Sequence, residues 1–235
     1  SSTSRGLGDV YKRQVQAQEA KESVLSESTR TRAQKLSDPK QDDASKKSQY
    51  VIVLDAGHGG KDEGAVSDDG KLEEKEYNLA VVKEIARLLE QSGVKVYCTR
   101  TTDRTVSKKA RVRLANKRQA DMLVSVHCNA SDARKHFVRG IEVLYSKRDN
   151  GAGYTNKQLA AKLLKKTVAA TGLPARGVIR REDLYLMHHA KVPAVIVETG
   201  YLTNPSDCLY MRQEKGIRQT AWGIYQAVME TLEKY

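Results

Sequence analysis

The chain has 235 residues, 39% of them hydrophobic, with 41 Lys+Arg against 29 Asp+Glu and a formal charge of +12. That length holds one good-sized core with room for a tail, and no apolar run is long enough to cross a bilayer. Three widely spaced cysteines, Cys98, Cys128 and Cys208, form neither a disulfide framework nor a zinc knuckle and read as small buried hydrophobes. The first 49 residues carry +3 and the remainder +9. A basic domain expects a polyanionic neighbour: nucleic acid, anionic lipid or an anionic wall polymer.

Residues 1–49 are rich in Ser, Gln, Lys, Glu and Asp and are expected to be a disordered leader or linker. The opening SSTSRGLGDVYKRQ differs in composition from the residues after it and is expected to be foreign to the fold. Val15-Gln16-Ala17 is a small-x-small triplet of the kind a signal peptidase accepts, but no apolar stretch precedes it, so no export signal is visible. Order is expected to begin at Tyr50 and to run through residue 235 as one domain. Residues 50–55 read as a strand. Residues 75–91 place Leu79, Val82, Ile85, Ala86 and Leu89 on one stripe, an amphipathic helix closed by Gly93. A strand is expected next over 94–99, then a basic helix over 107–119 with Val112, Leu114 and Ala115 as its apolar side. Strands are expected over 122–127 and 141–145, a helix over 154–170, short strands over 183–187 and 194–197, and a closing helix over 217–233. Strands alternating with helices imply an α/β layer fold with a largely parallel sheet of about six strands.

Three strand ends carry chemistry. The run VIVLDAGHGG leads to His58, MLVSVH ends on His127, and AVIVE ends on Glu198. If the strands are parallel, all three groups sit along the sheet edge where open α/β folds bind ligands. Glu73 and Glu74 stand just before the first long helix as further candidates. Two histidines and a carboxylate with one position left free match the catalytic zinc pattern, and another carboxylate nearby supplies a base. Each residue also has a plainer reading: a satisfied histidine, a salt-bridged Glu198, or helix-start acids favoured by the helix dipole. His136 lies in a polar loop and reads as solvated.

Taken in order, DAGHGGKDEGA, EEKEYNLA, SVHCNA and PAVIVETGYLTNP resemble the zinc-dependent N-acetylmuramoyl-L-alanine amidases, the amidase type 3 family of peptidoglycan hydrolases. The resemblance covers residues 50–235. It implies an open twisted sheet with helices on both faces and one Zn²⁺ per chain. It implies hydrolysis of the amide joining the lactyl group of N-acetylmuramic acid to L-Ala of the stem peptide. On it, His58, Glu74 and His127 are the metal ligands and Glu198 is the catalytic base; Glu74 rather than Glu73 precedes the lysine that opens the helix. Asp55 is expected either to orient a ligand histidine or to cap a turn. Asn129 either contacts substrate or stabilises the turn after its strand. Glycines 57, 59 and 60 are expected to let metal and substrate approach the backbone.

His188 and His189 stand where similar sequences often have arginine or lysine, and His188 is a candidate substrate contact. Some family members carry an inserted helix that blocks the site; between Tyr145 and Leu184 there is room for one helix and a loop, so the domain is expected to act alone. Peptidoglycan is the expected partner, with anionic wall polymers attracted by the basic surface, no nucleic acid, a monomeric state and an extracytoplasmic location. The competing readings are a zinc carboxypeptidase or deacetylase of the cell wall and a non-catalytic wall-binding protein. A nucleic-acid binder is disfavoured by one Phe, one Trp and no recognised motif.

Overall fold

The computed structural model describes residues 50–132, 136–148 and 151–235, so the expected leader over residues 1–49 lies outside the described residues. The described residues form one compact unit. In chain order its elements are β1 (Val51–Ala56), α1 (Glu74–Gln91), β2 (Lys95–Cys98), α2 (Lys108–Arg118), β3 (Met122–Asn129), β4 (Ile141–Tyr145), α3 (Asn156–Thr171), β5 (Ala175–Arg180), α4 (Tyr185–His189), β6 (Ala194–Tyr201), α5 (Pro205–Met211) and α6 (Glu214–Lys234).

The strands form one sheet in the order β2-β1-β3-β6-β4-β5. The first four run parallel, β4 lies antiparallel to β6, and β5 takes the direction of β4. The expected open, largely parallel sheet is therefore present, with helices on both faces. Alternation along the strands divides the core in two. Ile52, Leu54, Ala56, Val124, Val126, Val195 and Val197 meet Val82, Ile85 and Leu89 of α1, Leu159 and Leu163 of α3, and Ile224 and Val228 of α6. Val53, Leu123, Ala194 and Ile196 face the other way, against Val112 and Ala115 of α2 and Leu186 and Met187 of α4. Cys128 and Cys208 are buried, Cys98 is partly buried, and all three are free.

Three elements differ from the sequence reading. Asp183 to Met187 is a short stretch expected as a strand, and its apolar run from Leu184 does not distinguish strand from helix by periodicity. The chain instead makes one turn of helix, α4, which drops Leu186 and Met187 into the second core cluster. The strand absent from the sequence reading is β5, Ala175–Arg180, whose sequence ARGVIR is bracketed by arginines. It is an edge strand, largely exposed, and charged side chains are how edges are kept from further pairing. Helix α5 is likewise outside the expected elements, although Asn204 caps it through bonds from Ser206 N and Asp207 N and Pro205 opens it, a helix-start signal present in the sequence.

Candidate active site

The site grows from the polar ends of the strands on the second face. Continuing the alternation, Val53 is succeeded by Asp55, Leu123 by Ser125 and His127, and Ile196 by Glu198. His127 and Glu198 are direct partners in the parallel β3–β6 register, and Glu142 is Glu198's partner across the antiparallel β6–β4 pair. The register between β3 and β6 then shifts beyond His127, a bulge at the edge where the side chains are displayed.

His58 comes just after β1 with φ +58°, the left-handed region that costs a β-carbon-bearing residue about 1–2 kcal/mol. The loop is held there by cations. Arg100, only 1% exposed, donates from Nε to Ala56 O (3.0 Å) and from Nη2 to Gly57 O (2.9 Å) and Lys75 O (2.7 Å). Arg111 reaches Ala56 O (2.6 Å) and His58 O (2.7 Å), and Lys75 Nζ donates to Gly60 O (3.2 Å). The carbonyls of Ala56, Gly57, His58 and Gly60 are thus each tied to a charged side chain, which over-determines a strained turn.

The neighbouring glycines leave room for side chains at the site. A β-carbon on Gly57 would stand 2.3 Å from the His127 ring, and one on Gly64 would stand 2.6 Å from Glu74 Oε2 and 2.7 Å from His58 Cδ2. Gly59 and Gly60 pack against Arg100, Arg104 and Thr105. The glycines make room for the histidine rings and the 100–105 loop.

Glu74, the first residue of α1, is buried between the two imidazoles. Its Oε1 lies 3.2 Å from His58 Nε2 and 2.9 Å from His127 Nδ1, and accepts from Cys128 N at 3.0 Å; Oε2 accepts from Ala65 N at 2.9 Å. Burial opposes the charge, but these donors outweigh it and hold the carboxyl well below the usual range. His58, also bonded to Asp62 Oδ1 at 2.8 Å, is raised to about 8: burial lowers it and the two carboxylates more than reverse that. One ligand atom from each of His58, Glu74 and His127 lies within 4.8 Å of the others, so the cluster can hold a metal ion. The donor set fits: two imidazoles and an ionised carboxylate suit zinc or a similar divalent ion. Glu73, the alternative carboxylate, turns away to Lys75 Nζ at 3.0 Å.

Glu198 completes the group. Its Oε2 is buried without a hydrogen-bond partner among the described residues, an orphan that a structural carboxylate would not leave. Burial, with Glu74 and Glu142 adding to it and the histidines opposing, pushes its carboxyl up to about 7.

The remaining expected residues are placed around this group. Asp55 is buried and accepts from Arg111 Nη1, Thr99 Oγ1 and Ser125 Oγ, each at 2.6 Å; neither histidine ring is among its partners. It reaches the site through Arg111, which grips the backbone of His58. Asn129 donates to Glu142 Oε2 (3.3 Å) and Tyr201 Oη (3.2 Å) and accepts from Ala130 N (2.9 Å), contacts that brace the turn. His188 is exposed on α4, its carbonyl taken by Arg148, and is not among the residues lining the cavity at the site. His136, read as solvated, bonds Thr203 O and pairs with Asp68 at 3.0 Å. The residues that sequence reasoning missed are Arg100, Arg111 and Asn78, whose Nδ2 donates to Glu74 Oε1 at 3.2 Å.

An open α/β sheet that gathers two histidines and two carboxylates at its carboxyl edge has the layout of an enzyme active site able to hold a metal ion. A sequence profile of the amidase type 3 family, described as N-acetylmuramoyl-L-alanine amidase, matches residues 52–230. The chain is 35% identical over 163 residues to the N-acetylmuramoyl-L-alanine amidase LytC of Bacillus subtilis (strain 168), covering 69% of this chain and 32% of LytC. It is 36% identical over 187 residues to the probable cell wall amidase LytH of Staphylococcus aureus, covering 79% of this chain and 58% of LytH. The chain therefore spans less than two thirds of either relative. Among solved structures, the catalytic domain of the amidase CwlV from Bacillus (Paenibacillus) polymyxa var. colistinus superposes with a TM-score of 0.72 at 33% identity, covering 78% of this chain and 98% of that one. The N-acetylmuramoyl-L-alanine amidase from Clostridium difficile 630 gives 0.73 at 34% identity, covering 78% and 97%. The chain belongs to the N-acetylmuramoyl-L-alanine amidase family.

Proposed function

We propose that the protein hydrolyses the amide between the lactyl group of N-acetylmuramic acid and L-Ala of the peptidoglycan stem, with one Zn²⁺ held by His58, Glu74 and His127. Family membership supports the reaction. The observation that carries the residue roles is the convergence of three ligand atoms beside the buried, partnerless oxygen of Glu198. Zinc bound there supplies Lewis acidity toward water and the amide carbonyl. Glu198 takes the proton of the attacking water and returns it to the leaving nitrogen of L-Ala. Its buried oxygen, with no bond of its own to give up, is placed for both transfers. Arg100, Arg111 and Lys75 hold the His58 backbone, and Asp62 holds its ring through Nδ1, which leaves Nε2 for the ion. The substrate lies outside the cytoplasm, which implies a secreted or wall-associated location, with the basic surface drawn to anionic wall polymers.

Digestion of purified peptidoglycan by the full chain, with and without a zinc chelator, tests this by mass spectrometry of the released material. Free stem peptides beginning with L-Ala, abolished by chelation and restored by zinc, are the expected result. Shortened stems with the lactyl amide intact would instead mark a carboxypeptidase.

A further inference from the structure

We infer that the cavity beside Glu198 receives the first two residues of the stem peptide, and that Lys108 on its rim pairs with the free α-carboxylate of an acidic second residue. This deepens the amidase reading and rests on it. The cavity measures about 270 Å³ and shares His58, His127 and Glu198 with the site. It runs between the second face of the sheet and helices α2 and α4, with Val106, Leu184, Tyr185, Leu186 and Ile196 as apolar walls. Asp55, Ser125 and Arg111 form its polar floor; the floor carboxylate already accepts from both other residues and asks nothing of a ligand.

The charged groups lining the cavity are unequal. Asp62 is taken by His58, Arg111 by Asp55 and backbone carbonyls. Lys108, exposed at the first turn of α2, has no hydrogen bond or ion pair among the described residues. An unengaged ammonium beside an apolar recess suits a ligand with a short apolar part and an anion. Of the two arms flanking the scissile amide, the glycan is a neutral, hydroxyl-rich polymer that continues in both directions. It offers Lys108 no counter-charge. The peptide arm begins with the methyl of L-Ala. If its second residue is an acid linked onward through the γ-carboxyl, the α-carboxylate is a side branch, able to enter the recess while the chain leaves.

Two soluble substrates that differ only in that group test the assignment: N-acetylmuramoyl-L-alanyl-D-glutamate and its D-isoglutamine counterpart. The readout is the ratio of kcat/KM for the two, which does not depend on the fraction of active enzyme. The wild-type protein is expected to prefer the carboxylate about two- to fivefold, the scale of a solvent-exposed ion pair. Lys108→Gln is expected to level the two substrates and Lys108→Glu to reverse their order. A ratio that stays the same in all three proteins overturns the subsite while leaving the amidase standing. Cleavage of neither substrate by zinc-loaded wild type overturns the amidase reading and the subsite with it.

Discussion

On the face covered by α1, α3 and α6, the central strands present apolar residues through Ala56, Val126 and Val197, with Cys128 and Thr199 buried beyond them. On the face covered by α2 and α4, the same strands change character partway: Val53 gives way to Asp55, Leu123 to Ser125 and His127, Ile196 to Glu198. The covering helices differ in the same sense. Those on the first face are 18, 16 and 21 residues long, and those on the second are 11 and 5. Long helices seal an apolar surface to its edge, whereas short ones leave the carboxyl edge open and a cavity beside it. Side-chain parity along the sheet thus puts Asp55, Ser125, His127 and Glu198 on one face, and the start of α1 and the loop after β1 add Glu74 and His58 at the edge.

The sharpest way to break this contrast is at Glu198. Glu198→Ala is expected to lower turnover by about 10³-fold, within the range for loss of a general acid–base group. It is expected to keep the zinc and to leave the melting temperature unchanged or higher, because it removes a buried oxygen that has no partner. His127→Ala, one strand over, is expected to lose most of its metal. Initial rates, metal analysis and thermal melts on the two variants separate the roles; turnover above a few per cent in Glu198→Ala would remove it as the base.

The next largest effect is expected at Asp55, where the second face is a packed polar floor. Asp55→Asn leaves the Arg111 guanidinium buried without its counter-charge, at a cost of about 3 kcal/mol in denaturant unfolding. Burial works against the ionised form of Asp55, but Arg111, Ser125 and Thr99 outweigh it and hold its carboxyl below the ordinary range. Its contribution is therefore complete above about pH 4 and fades as pH falls through its folded value. The stability gap between wild type and Asp55→Asn should narrow on acidification; a gap independent of pH would mean that shape rather than charge is lost.

The difference between the faces is partly legible in the sequence. β1, β3 and β6 announce themselves as apolar runs ending in His58, His127 and Glu198, and parallel direction suffices to bring those ends together. Arg111 reads as part of a basic helical surface, although it shares a side with Ala115 four residues on, a spacing that places both inward. Arg100 comes after a strand with nothing local to mark its burial; its acceptors are carbonyls 25 to 44 residues away in the chain. Glu142 faces Glu198 only because β4 runs antiparallel, a register that strand and helix patterning does not encode. β5 escapes a reading by pattern because an arginine-bearing edge strand lacks the apolar alternation of an interior one.

The smallest expected effect lies on the first face. Ile85 is fully buried on α1 within the apolar cluster that includes Val81, Val82 and Leu89. Ile85→Val removes one methylene and leaves a small void, costing about 1 kcal/mol. Glu74, about three helical turns before it, is fixed by its own bonds to His58, His127 and two backbone amides rather than by the packing at Ile85. The variant should therefore unfold at lower denaturant with the same slope, while kcat, KM and zinc content match wild type. A fall in zinc affinity comparable to the fall in stability would mean that α1 carries packing strain into Glu74, and that the sheet does not insulate its two faces.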